Sequence, residues 1–212
     1  MKIDIRGLSE DQIIEFFEKK GFDSYRGRQV YEWIWRKSCY SFDEMTNISK
    51  DLRDVLDNHF VINHIQVDKI QKSFDGTIKN AVKLHDDHTV ESVLIPTDDR
   101  TTACVSSQVG CSLDCKFCAT SKLKRMRNLN PDEIYDQVVT INDQSKKYFN
   151  RPLSNIVYMG MGEPLMNYNN LIKSIEKISS DKGLNMSQKR IVVSTSGIPK
   201  MIKKLADENL KV

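Results

Sequence analysis

Through the first sixty residues apolar positions recur every three or four places, and the residues between them punctuate three short helices. Ser9 and Gln12 form a capping-box pair with Leu8 and Ile13 set as a hydrophobic staple, and Gly21 closes the helix they open. A second helix is expected from about Gly27 to Ser38. Ser49 caps a third, in which Leu52, Val55, Leu56 and Phe60 keep helical spacing. From Ile62 to about Gln108 the period shortens toward that of strands, with Asp75-Gly76 as a hairpin turn and Asp86-Asp87 as a weaker one.

Beyond that point strand and helix alternate. Asn130-Pro131-Asp132-Glu133 opens a helix with a cap, a first-turn proline and acids at the positive dipole end, followed by Ile134, Val138 and Ile141 on one face. Asn155-Ile156-Val157-Tyr158-Met159 is a continuous apolar strand, as expected where helices cover the sheet. Leu171, Ile172, Ile175 and Ile178 make the next helix, Ile191-Val192-Val193-Ser194 the next strand, and Met201, Ile202 and Leu205 the last helix. Right-handed crossovers make such a βα repeat a parallel sheet. The chain therefore reads as α/β: residues 1–60 a helical accessory domain, 61–100 a β-hairpin segment, and 101–212 the first half of a βα barrel. Its loops after Gln108, Met159 and Val193 fall at one end of the sheet, where parallel βα folds place their ligands.

Composition narrows the class. The values of 29% charged and 39% hydrophobic are globular, and no stretch approaches the roughly 20 apolar residues of a membrane span. The start, Met1-Lys2-Ile3-Asp4-Ile5-Arg6, lacks the apolar region of a signal peptide, so a cytoplasmic location is expected. Net charge is only +3, but Lys122, Lys124, Arg125 and Arg127 are concentrated in one segment. Lys19, Lys20, Arg26, Arg28, Arg36 and Lys37 gather near the N-terminus with Tyr25, Tyr31, Trp33 and Trp35 between them. Such interleaving suits phosphate contact and base stacking, and suits a solvated helix face over an aromatic core equally well. His59, His64, His85 and His88 have no metal-like spacing and read as ordinary polar positions.

The strongest chemical signal is Cys111, Cys115 and Cys118, in the order Cys-x-x-x-Cys-x-x-Cys. Three thiolates on one loop can hold three irons of a 4Fe-4S cluster and leave the fourth open to a small molecule. Zinc with Cys104 as a fourth ligand is the alternative, although no second Cys-x-x-Cys knuckle exists to complete the usual pattern. An open iron calls for a chelating amine and carboxylate, which S-adenosylmethionine carries. Gly160, Gly162 and Glu163 suit that ligand's ammonium, and Ser194 its carboxylate or ribose. Taken alone, Gly-x-Gly-Glu-Pro is more often a tight turn.

The chain resembles the radical S-adenosylmethionine enzymes, and within them the RlmN-type methyl synthases that methylate C2 of adenine in ribosomal and transfer RNA. The resemblance spans essentially all 212 residues. It rests on Ser41-Phe42-Asp43-Glu44-Met45-Thr46, Val90-Glu91-Ser92, Ile95-Pro96, the run from Cys104 to Cys111, Cys115-Lys116-Phe117-Cys118-Ala119-Thr120, Arg127-Asn128-Leu129, the run from Met159 to Leu165, and Val193-Ser194-Thr195-Ser196-Gly197. It implies a partial radical SAM βα barrel in which Cys111, Cys115 and Cys118 hold the cluster while Gly162, Glu163 and Ser194 contact S-adenosylmethionine. Glu91 matches a proton acceptor. Cys104 matches the cysteine that forms a transient disulfide with a second, methyl-carrying cysteine near the C-terminus. Read without the family, Cys104 is a solitary buried thiol.

The same resemblance implies that the helical module binds RNA, that the partners are 23S ribosomal RNA and transfer RNA with an electron donor such as flavodoxin, and that the complete enzyme is a monomer. The related enzyme acting on adenine C8 shares these motifs. A non-catalytic RNA-binding fragment with a structural iron-sulfur or zinc centre is the reading from a different class. The sequence ends at Leu210-Lys211-Val212, where a fourth barrel strand would begin, so the methyl-carrying cysteine is missing and this chain alone is expected not to methylate RNA. Cys39, in the helical module, is no substitute.

Overall fold

The computed structural model describes residues 2–208 and 210–212. The chain divides into two compact units, one running through His64 and including Ser180–Asn185, the other comprising Ile65–Ser179 and Met186–Val212.

In the first unit, strand β1 (Ile3–Asp4) precedes helices α1 (Glu10–Lys19), α2 (Ser24–Trp35) and α3 (Lys50–His59), and β2 (Phe60–Val61) returns to pair with β1 in parallel. The capping box of α1 forms as expected: Gln12 N–H donates to Ser9 Oγ at 3.2 Å, and Ser9 N–H to Gln12 Oε1 at 2.8 Å. Helix α2 starts three residues before the expected Gly27, because that glycine is a packing position and not a boundary. A Cβ there would sit 2.7 Å from Ile14 Cα, so only glycine lets the backbones of α1 and α2 approach so closely. Phe60 leaves its expected helix and opens β2. Tyr31 and Trp35 are buried in the core with Ile13, Phe17, Val30 and Leu56. Of the four aromatics read as base-stacking candidates, only Tyr25 and Trp33 reach the surface, each beneath a cation, Arg26 at 4.6 Å and Lys37 at 3.7 Å from the ring centre.

The second unit is one six-stranded sheet, ordered β10-β9-β6-β5-β4-β3. Strands β3 (Gln66–Lys72), β4 (Ile78–Lys83), β5 (Thr89–Pro96) and β6 (Thr101–Cys104) run antiparallel through the two expected turns and a third at residues 97–100, so the hairpin segment continues the same sheet. Strands β9 (Asn155–Tyr158) and β10 (Ile191–Val193) join β6 in parallel. Two-residue strands β7 (Gln108–Val109) and β8 (Arg127–Asn128) pair with each other outside this sheet. Helix α4 (Pro131–Phe149) leads into β9, α5 (Tyr168–Ser179) into β10, and α6 (Pro199–Asp207) follows.

Helix α4 opens at its predicted cap, which the structure completes as a capping box with Asn130 N–H donating to Glu133 Oε2 at 2.8 Å, and packs on β5 and β6 through Ile134, Val138 and Ile141. Leu171, Ile175 and Ile178 bury the matching stripe of α5. On the other face of the sheet the register sets Val93, Cys104, Val157 and Val192 side by side, with Val192 half exposed. Among the described residues the sheet stays open, with β3 and β10 as its edges.

Candidate functional site

The cysteine loop is a long excursion between the paired strands β7 and β8. Cys111 N–H donates to Leu123 O at 3.3 Å, and Met126 N–H to Val109 O at 2.9 Å, closing the base of the loop. Within it Cys118 N–H donates to Cys115 O at 3.0 Å, and Ser121 Oγ donates to Cys115 O at 3.0 Å and Cys118 O at 2.6 Å. These bonds fix the turn that brings the second and third cysteines near each other. All three thiols are half-buried, whereas Phe117 between them is 93% exposed.

The base of the loop is held by charge. Arg127 on β8 forks its NH1 and NH2 onto Glu133 Oε2 and Oε1 at 2.8 and 2.7 Å and sends Nε to Asp86 Oδ2 at 2.5 Å. The hydrogen bond from Arg127 holds the Asp86 carboxyl well below the usual carboxylate range, and the Glu133 contact raises the guanidinium further. His85 stands 3.4 Å from Glu133 and His88 3.0 Å from Asp86, so two of the histidines read as plain polar positions edge this network. Arg127, grouped from sequence with Lys122, Lys124 and Arg125, is thus an internal tie; the other three are exposed.

The strand ends are sewn together beneath the loop. Ser107 and Gln108 N–H both donate to Met161 O, at 2.9 and 3.1 Å, and Met161 N–H donates to Ser106 Oγ at 2.8 Å. Gln137 of α4 clasps the Ser106 backbone, accepting from its N–H at 2.9 Å and donating to its carbonyl at 3.2 Å. Gly162 takes φ +93°, and a Cβ there would lie 2.4 Å from Gln108 Cβ, so this crossing of two loops admits only glycine.

A cavity of about 170 Å³ opens over these strand ends, lined by Cys111, Cys115 and Cys118 together with Gly160, Gly162, Glu163 and Ser194. Three segments far apart in sequence thereby meet at the carboxyl ends of β6, β9 and β10. Glu163 is 4% exposed and fully engaged: Oε1 accepts from Leu165 N–H at 3.0 Å and Thr195 Oγ at 2.8 Å, Oε2 from Ser196 N–H at 2.8 Å and Ser196 Oγ at 2.9 Å. Thr195 and Ser196 also line the cavity, whereas the sequence reading singled out only Ser194 from that run. Their signal was their place directly after a parallel strand.

Glu91 and Cys104 do not line this cavity. Glu91 lies on β5, half exposed, ion-paired to Lys79 at 2.6 Å. Cys104 is buried on β6, where loss of solvation raises its thiol above the ordinary value. Both belong to the sheet face opposite α4, and Ser106 Oγ donates to the Glu91 carbonyl, placing β5 beside the site loops. No three His, Cys, Asp or Glu side chains among the described residues converge as one metal ion would require. A cluster spaces its ligands more widely, since each cysteine holds a different iron.

A family model described as the radical SAM superfamily matches residues 105–212. This chain belongs to the radical SAM superfamily. The match takes in every residue lining the cavity. The first unit has its own match, residues 3–62, to the ribosomal RNA large subunit methyltransferase N-terminal domain. A probable dual-specificity RNA methyltransferase RlmN from Christiangramia forsetii is 70% identical over 100% of this chain and 60% of that protein. Its counterpart from Flavobacterium psychrophilum is 67% identical over 99% and 60%. The crystal structure of a radical SAM methyltransferase from Sphaerobacter thermophilus is similar with a TM-score of 0.89 at 36% identity, covering 99% of this chain and 62% of that one. The chain spans about 60% of the length of the curated relatives it matches.

Proposed function

We propose that this chain supplies the cluster- and S-adenosylmethionine-binding part of an RNA methyltransferase acting on C2 of adenine in 23S ribosomal RNA and transfer RNA. The observation that carries this reading is the meeting of the Cys111–Cys118 loop, the Gly160–Pro164 turn and Ser194 around one cavity. The donors fit the groups. Three thiols and no fourth cysteine line the cavity, which suits a 4Fe-4S cluster with one open iron, and Gly162, Glu163 and Ser194 stand beside them for S-adenosylmethionine.

When bound, the cluster and S-adenosylmethionine together supply a one-electron reduction that starts radical chemistry. The chain's own task is to hold three thiols on a loop fixed at its base, to present a backbone turn that admits close approach, and to keep one buried carboxylate next to them. Glu91 is assigned the role of proton acceptor, and Cys104 that of a resolving thiol. Both stand on the open sheet face next to the strand ends. The helical unit binds RNA through its surface cations, and an electron donor such as flavodoxin reduces the centre.

Anaerobic reconstitution with iron and sulfide tests the reading. A brown protein whose reduced electron paramagnetic resonance signal changes on adding S-adenosylmethionine is expected. A colourless zinc protein, or a signal blind to the ligand, favours a structural centre and overturns the assignment. The same chain is expected to leave transfer RNA and 23S RNA unmethylated by nucleoside mass spectrometry, and 8-methyladenosine from a longer form would replace C2 by C8.

A further inference from the structure

A second cavity, about 610 Å³, lies between α6 and the turn that carries Leu165 to Asn170. It shares a wall with the site already described. Leu165 and Met166 follow Pro164 directly, Ser112 Oγ lies 3.7 Å from Met166 Sδ, and Asn128 accepts from Gln108 Nε2 at 2.8 Å while Gln108 Oε1 accepts from Glu163 N–H at 2.9 Å.

Its lining has a definite chemistry. Met166, Ile198 and Met201 give apolar surface, four asparagines supply carboxamides, and no acidic side chain is among the lining residues. The fold fixes two of those amides and leaves each with one kind of capacity. Asn167 spends both Nδ2 hydrogens on Ser107 O at 2.9 Å and Leu129 O at 2.7 Å, which leaves its Oδ1 as an acceptor. Asn128 Oδ1 already accepts from Gln108 and from Arg125 at 3.3 Å, which leaves its Nδ2 as a donor. A cation marks the rim, since Lys204 Nζ sits 4.1 Å from the Tyr168 ring centre and that hydroxyl donates to Glu208 at 3.0 Å.

A fixed donor, a fixed acceptor, apolar side chains and an exposed ammonium around one cavity together match an unpaired nucleobase and its phosphate. Thioether and branched aliphatic surface accepts a base face without demanding one base. An acidic or aliphatic ligand would leave either the cation or the amides unanswered. We propose that this cavity binds an unpaired nucleobase of the RNA, one lying next to the nucleotide that enters the cofactor site. The inference rests on the RNA reading above and adds a place on the barrel unit where the substrate is gripped.

Fluorescence anisotropy of labelled hexaadenylate RNA against an abasic strand of equal length and charge tests it on the whole chain. The base-bearing strand is expected to bind about tenfold tighter. Met201→Gln keeps size and charge while removing the apolar wall, and α6 buries no residue, so the fold is retained. That variant is expected to bind both strands alike, and Met201→Leu to behave as wild type. Equal affinity of wild type for the two strands, or an unchanged preference in Met201→Gln, overturns the proposal. If neither strand binds wild type, the RNA reading falls with it; if both bind equally, only the pocket does.

Discussion

Arg127→Met asks how much the base of the cysteine loop depends on one guanidinium. Methionine keeps the apolar stem but deletes the fork onto Glu133 and the bond to Asp86. The Glu133 side chain is 3% exposed, Arg127 25% and Asp86 28%, so the loss falls mainly on Glu133. Its carboxylate would keep the Asn130 N–H at 2.8 Å and His85 at 3.4 Å. Breaking a buried pair from one side costs about 3–5 kcal/mol, and the surviving donor and partial exposure of Arg127 point to the lower end, about 3 kcal/mol. Asp86 returns to water at little cost. Urea unfolding followed by circular dichroism at pH 7 should show that loss as a lower midpoint with unchanged slope. Arg127→Lys should fall between, because a point charge cannot span both carboxylate oxygens. In a cycle with Glu133→Gln the double variant should lose less than the two single losses added. A loss below about 1 kcal/mol, or strict additivity, would refute the view that a buried pair anchors the loop.

Gly162→Ala combines a positive φ with a Cβ 2.4 Å from Gln108 Cβ, so it should abolish the response to S-adenosylmethionine in the reconstituted protein and lower the thermal midpoint. Ser196→Ala removes one of four donors on Glu163 and frees a lone pair of Oε2; titration calorimetry should find S-adenosylmethionine binding as tight or tighter, and a tenfold loss would make Ser196 a ligand contact instead. Iodoacetamide at pH 8 on the metal-free chain should label Cys111, Cys115 and Cys118 and spare Cys39, whose thiol burial pushes up to about 12, and Cys104; mass spectrometry reads the sites. Asp86 has its folded value lowered by Arg127, so its contribution is present above the unfolded value near pH ~4 and fades as pH falls below it. Urea midpoints from pH 6 to 3 should therefore fall less steeply in Asp86→Asn than in wild type.

The helices and strands were legible because local chemistry and packing agree along most of the chain. The capping boxes of Ser9 and Asn130 form as their spacing implies, and the apolar stripes of α4 and α5 are the buried ones. Legibility failed where a tertiary contact overrode a local signal. Gly27 reads as a boundary until the neighbouring helix shows why it has no Cβ, and Phe60 keeps helical spacing but is claimed by a pairing with Ile3 from the far end of the unit. Tyr31 and Trp35 differ from Tyr25 and Trp33 only in which side of α2 they occupy, which composition does not encode.

The site divides along the same line. Cysteines, glycines and Glu163 announce themselves through spacing, since thiolate number and backbone freedom are properties of residue type. Their supports do not. Gln108, Gln137, Thr195 and Ser196 matter because side chains from three segments meet two backbone N–H groups and one carboxylate, and any polar residue looks equally idle in a sequence. That arrangement has a consequence for binding. Because Glu163 already joins the β9 and β10 loops through three hydrogen bonds and takes a fourth from Leu165 in its own loop, a ligand ammonium would find a carboxylate held in place and would have to displace or share one of those donors. Ser196, exposed and bonded twice to Oε2, is the donor that can turn to water at least cost. The carboxylate is thus preorganised by bonds that a ligand ammonium would partly replace, which would limit the ordering cost of binding to one side chain.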